Sequence, residues 1–120
     1  MIKQKRMILL VEDDADLRGM FRVALLLEGF EVREAADGYE ALRMLEQGGP
    51  DLVVLDLRMP GINGLVVLAD IRALYRDLPV VVVTATPGDL SHLDVDCVLK
   101  KPIAPDTLVE TVRQCFAKHT

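Results

Sequence analysis

Asp51-Leu-Val-Val-Leu-Asp56-Leu-Arg-Met-Pro-Gly-Ile-Asn-Gly64 sets an unbroken apolar run against one carboxylate and then a Pro/Gly loop. Leu52 to Leu55 have the length and branching of a strand buried on both faces, and Pro60, Gly61 and Gly64 stop its continuation. Asp56 therefore stands on the rim of a sheet. An aspartate there often does no more than start a turn, so its meaning depends on what else reaches that rim.

Upstream, Met7-Ile-Leu-Leu-Val11 is a second solid run, ending at Glu12, Asp13 and Asp14. Leu17, Met20, Phe21, Ala24 and Leu27 then recur at helical spacing, with Asp14 or Asp16 at the positive end and Gly29 as the stop. Phe30-Glu-Val-Arg-Glu34 alternates apolar and polar residues, as an edge strand does. Asp37-Gly-Tyr-Glu40 has capping-box spacing, and Ala41, Leu42 and Leu45 carry a second helix to Gly48-Gly49-Pro50.

Downstream, Gly64 to about Tyr75 predicts a third helix, apolar on more than one side and with surface to offer a partner. Pro79-Val-Val-Val-Val83 is a buried strand ending at Thr84. Only the stretch Ala85 to Asp94 separates it from Val95-Asp-Cys-Val-Leu99, whose alternation puts Val95, Cys97 and Leu99 on one side. Pro87-Gly88 takes residues from that stretch, so the fourth helix is a turn or two near Asp89 to Leu93. After Lys100, Lys101 and Pro102, a last helix from Pro105-Asp106 aligns Leu108, Val109, Val112, Cys115 and Phe116.

Strands alternating with helices predict a doubly wound α/β fold with helices on both faces. Three solid strands at the centre and two alternating ones at the edges give a five-stranded parallel sheet of order 2-1-3-4-5, the flavodoxin-like class. Such sheets bind ligands outside the carboxyl ends of their strands, at the switch between strands one and three. Asp13 and Asp56 end those strands, and Thr84 and Lys100-Lys101 lie on the same rim. Two carboxylates about 5 Å apart repel by roughly 3 kcal/mol at an effective dielectric near 20. Glu12 adds to this, and the cluster asks for a cation. Oxygen donors with no Cys or His beside them favour Mg²⁺. A divalent ion, a lysine and the Thr84 hydroxyl around a carboxylate suit phosphoryl transfer, with Asp56 attacking in line to give an aspartyl phosphate. Ala85, small and next to Thr84, leaves room for it.

The 120 residues fit one domain, 1–120, able to bury a core without staples. Its 51% hydrophobic residues contain no run long enough to span a bilayer. The basic Met1 to Arg6 stretch lacks a cleavage site, so the expected location is cytoplasmic. A net charge of −5 with no other basic run argues against direct nucleic-acid binding. Cys97 and Cys115 lack CxxC spacing and read as core filling, and His92 and His119 suggest no ligand set.

Over essentially its whole length the sequence resembles the receiver domain of two-component response regulators. The matching segments are Ile8-Leu-Leu-Val-Glu-Asp-Asp14, the Asp51 to Gly64 stretch, Val81-Val-Val-Thr-Ala85 and Lys101-Pro102. The resemblance implies that Asp56 accepts phosphate from a kinase phosphohistidine. It also implies that Asp13, Asp56 and the Arg58 carbonyl bind Mg²⁺, with Glu12 acting through water, and that Thr84 and Lys101 hold the phosphoryl group. Of the two lysines, the one before Pro102 fits the family pattern, which leaves Lys100 a solvated neighbour. A cis Lys101-Pro102 bond is implied as well. The implied partners are a histidine kinase or phosphotransfer protein and an output domain or protein, and a homodimer is allowed. The chain would be no enzyme beyond catalysing its own phosphorylation and dephosphorylation.

Two departures bear on output. Val98 stands where receivers carry Tyr or Phe, and the fourth helix is short. The expectation is that the signal is read elsewhere than through the aromatic route, or by a partner of adapted shape. The rival is a receiver that keeps the fold and works as an interaction module without phosphorylation. Such modules usually lack one of the acids or the lysine, and here all are present. A flavin site would not place three acids after strand one, and the phosphatases with a strand-end nucleophile carry a second acid where Arg58 stands. Ending at Thr120 just after the last helix, the chain reads as a stand-alone regulator or as a receiver from a larger protein.

Overall fold

The computed structural model describes residues 5–119. Most of the basic Met1 to Arg6 stretch lies outside the described residues. The elements in order are β1 (Met7–Val11), α1 (Ala15–Leu27), β2 (Glu31–Ala35), α2 (Gly38–Gln47), β3 (Leu52–Leu55), α3 (Gly64–Leu74), β4 (Val80–Thr84), β5 (Cys97–Lys100) and α4 (Pro105–Lys118). The strands form one parallel sheet in the order β2-β1-β3-β4-β5, the flavodoxin-like arrangement expected.

The solid apolar runs are explained by burial on both faces. Leu9, Val11, Val53, Leu55, Val80 and Val82 point into a core closed by α2 and α3 through Ala41, Leu45, Val67 and Ile71. Their neighbours Ile8, Leu10, Leu52, Val54, Val81 and Val83 point the other way, against Phe21 and Leu25 of α1 and Leu108, Val112 and Phe116 of α4. One strand thus feeds two cores, which is why no polar residue interrupts it.

Local chemistry sets the ends of the helices. Asp14 caps α1, its carboxylate accepting the N–H groups of Asp16 and Leu17. Asp37 caps α2 by accepting the Glu40 N–H, while Glu40 reaches back to the Ala36 N–H at 3.2 Å. Gly29 follows α1 at φ 97°, a conformation that favours glycine.

The fourth crossover helix expected near Asp89 to Leu93 does not form. Residues 85–96 hold no helix, only two tight turns, Leu93 N–H to Leu90 O at 3.1 Å and Val95 N–H to Leu93 O at 2.9 Å. Pro87 cannot donate, Gly88 sits at φ 91°, and Asp89 turns its carboxylate onto the Ser91 N–H, which leaves too few residues to propagate a helix. Leu90, Leu93 and Val95 still pack on the α2/α3 side. Strand five begins only at Cys97, so Val95 faces that side while Cys97 and Leu99 face α1 and α4. The expected single-sided alternation from Val95 is corrected accordingly.

Candidate functional site: an acid cluster closed by a lysine

Parallel register brings the ends of four segments together. Val11 pairs with Leu55 and Thr84 with Lys100, so Glu12, Asp56 and Lys101 follow as the first residues past their strands. Backbone bonds hold them: Asp56 N–H to Val11 O at 3.1 Å, and Lys101 N–H to Thr84 O at 2.9 Å. One donor atom from each of Glu12, Asp13 and Asp56 lies within 4.8 Å of the others.

Asp56 is 3% exposed and Glu12 2%. Lys101 Nζ reaches both, at 2.9 Å from Asp56 Oδ2 and 2.8 Å from Glu12 Oε1. The other Asp56 oxygen accepts the Arg58 N–H at 3.0 Å. Glu12 Oε2 accepts the Asp14 N–H, and Arg18 donates to the Glu12 carbonyl at 2.8 Å. Burial pushes the Glu12 carboxyl up to about 7, and the Asp56 charge works in the same direction against the pull of Lys101. Burial alone would lower Lys101, yet its bonds to Glu12 and Asp56 carry it above the usual lysine range. Lys101 pairs with two of the three carboxylates and Asp13 stands beside them; a purely oxygen donor set with surplus negative charge fits Mg²⁺.

Thr84 is fully buried at the end of β4, its hydroxyl bonded to the Thr86 hydroxyl at 2.9 Å and accepting the Thr86 N–H. Lys100 is exposed but not merely solvated, since its Nζ donates to the carbonyls of Thr86 and Gly88. It ties the loop after β4 to β5. Val98 is half-buried against the α2/α3 core, and the Lys101-Pro102 peptide is cis. Gly64 closes the floor: a Cβ there would overlap the Asp56 carbonyl and come within 2.5 Å of Leu57 Cα.

The model of the family described as response regulator receiver domain matches residues 8–113. The chain belongs to this family. As a receiver it is similar to the transcriptional regulatory protein PrrA of Mycobacterium tuberculosis, 44% identical over 65% of this chain and 34% of that protein. It is 37% identical to the response regulator MprA of Mycolicibacterium vanbaalenii, over 94% of this chain and 51% of that one. This receiver therefore spans about half or less of those relatives' length. Among solved structures, the response regulator TrrA of Thermotoga maritima, in complex with Mg²⁺ and BeF, matches with a TM-score of 0.83 at 36% identity, covering 92% of this chain and 98% of that one. A CheY-like receiver from Methanospirillum hungatei matches at 0.89 and 25% identity, covering 96% of each chain.

A second set of donors escaped the sequence reading. Asp96, Cys115 and His119 also place one donor atom each within 4.8 Å of one another. His119 Nε2 lies 2.6 Å from Asp96 Oδ2. Cys115 does fill the core, as expected; His119 is not isolated, because it pairs with Asp96 and stands one helical turn from Cys115 beside the same acid. That spacing was the available signal.

Proposed function

We propose that this receiver takes a phosphoryl group from the phosphohistidine of a histidine kinase or phosphotransfer protein onto Asp56. The observation that carries the reading is Lys101 Nζ seated between Asp56 and Glu12, with Asp13 beside them. A carboxylate oxygen of Asp56 attacks phosphorus in line, and the new O–P bond forms as the P–N bond to the donor imidazole breaks. Lys101 moves part of its charge from the carboxylate to the incoming phosphoryl oxygens. Thr84 turns its hydroxyl from Thr86 to one of those oxygens. Asp13, Asp56 and the Arg58 carbonyl would hold Mg²⁺, with Glu12 acting through water, and the ion would neutralise charge developing on the phosphoryl group. Arg58 and Thr86 flank the phosphate and govern how readily water reaches it.

The relatives named as transcriptional regulators support an output domain or partner outside this chain, with DNA contact made there. Among the described residues no helix is long and apolar enough to cross a membrane, which agrees with a cytoplasmic place beside a kinase's catalytic part. The test is incubation with Mg²⁺ and acetyl phosphate, read by intact mass. Wild type should gain one phosphoryl group, and neither Asp56→Asn nor a chelator-treated sample should. Equal, unchanged masses for wild type and Asp56→Asn would instead support the phosphorylation-independent module.

A further inference from the structure

We propose that Asp96, Cys115 and His119 form a second cation site, built for a borderline-soft divalent ion such as Zn²⁺ and distinct from the acid cluster at Asp56. Asp96 precedes β5 and Lys101 follows it, so the two sites sit at opposite ends of one strand. Cys115 and His119 stand one turn apart at the end of α4, on the face that turns toward the start of β5. The side-chain types are decisive. A thiol and an imidazole with one carboxylate select Zn²⁺ over Mg²⁺, whereas the cluster at Asp56 offers only oxygens.

The carboxylate is already aimed. Asp96 Oδ1 accepts the Val80 N–H at 2.8 Å, leaving Oδ2 toward His119. Such outer bonds fix the orientation of a metal-binding carboxylate. Arg72 approaches Asp96 Oδ1 at 3.8 Å. Its guanidinium is also engaged by the Asp94 carboxylate and by the carbonyls of Asp94 and Leu78, bonds that hold it at Oδ1 and leave Oδ2 to the imidazole. Cys115 is 5% exposed, yet a cavity of about 60 Å³ opens against it and Asp96, with Cys97 and Lys118 also on its wall; His119 lines the adjoining cavity, which shares Asp96, so the imidazole has to turn about Asp96 to reach an ion beside the thiol. His119 is 37% exposed and can swing. On binding, the His119–Asp96 hydrogen bond opens, the Cys115 thiol gives its proton to solvent, and three coordinate bonds form, with water completing a tetrahedron. The ion would staple the end of α4 to the start of β5.

Co²⁺ serves as the probe, titrated into the whole chain in excess Mg²⁺ so that the acid cluster is filled. A thiolate-to-cobalt charge-transfer band should appear at one equivalent and be displaced by Zn²⁺. Cys97→Ser should keep the band. His119→Gln, a surface change that leaves the fold intact, should weaken binding by about tenfold or more, and Cys115→Ser should abolish the band. Absence of the band in wild type, its loss with Cys97→Ser, or equal affinity in His119→Gln would overturn the proposal.

Discussion

Glu12 is the residue whose environment conflicts most with its charge. It is buried beside two other carboxylates, and one lysine serves it and Asp56 together. Its carboxyl rises from 4.5 to about 7 on folding, so between those values the folded chain binds more protons than the unfolded one. The stability this contributes is fully present below 4.5 and is lost as pH rises through about 7. In chelator-treated protein, urea unfolding should show wild type losing on the order of 2 kcal/mol more than Glu12→Gln between about pH 5 and about pH 8. Parallel pH profiles for the two proteins would remove Glu12 from this account. The same charge conflict explains why a cation should stabilise the site: it relieves a repulsion that Lys101 only partly offsets.

At the scale of elements, the turn from β3 into α3 is built around a missing side chain. Gly64 N–H bonds Leu57 O at 3.1 Å, and a Cβ at Gly64 would overlap the backbone that carries Asp56. Gly64→Ala should therefore destabilise by about 2–3 kcal/mol, measured by urea unfolding, and slow phosphorylation by acetyl phosphate; unchanged stability would show that the loop can shift freely. The strand pattern around this turn was legible in the sequence because burial on two faces demands unbroken runs such as Leu52 to Leu55 and Val80 to Val83. The segment after β4 was less so. Periodicity allowed a short helix there, but Pro87, Gly88 and the Asp89 turn use up the length. For the acid cluster the strand ends were enough, since parallel register brings Asp13, Asp56 and Lys101 to one rim. Asp96 could not be found in the same way, because it meets Cys115 and His119 only through packing of α4 against β5. Cys115 reads as one of the last helix's apolar stripe, and His119, four residues on, lies outside that stripe.

For the whole molecule, the question is where a change at Asp56 goes. Asp14 caps α1 immediately after the acid cluster, and the Asp56 carbonyl touches the start of α3. Toward β5 the path runs through Thr84, Thr86 and the Lys100 bonds to the loop after β4, with Val98 in place of an aromatic ring, and residues 85–96 form no helix to move as a unit. The helix starts are thus the mechanical neighbours of the site. Addition of Mg²⁺ and beryllofluoride should shift backbone amide signals more in residues 12–20 and 56–68 than in 85–118. A pattern dominated by 85–118 would show that output still runs past Val98. Exposed Leu65 and Val66 on α3 and Met20 on α1 put apolar surface close to those starts. The strand between the two ends of the sheet also works as a ruler. β5 has four residues, and backbone bonds pin it at both limits, Asp96 N–H to Val80 O and Lys101 N–H to Thr84 O, each 2.9 Å. Adding or deleting one residue within it would throw Lys101 and Asp96 out of phase together, so the length of β5 is a dimension that cannot be adjusted at one end alone.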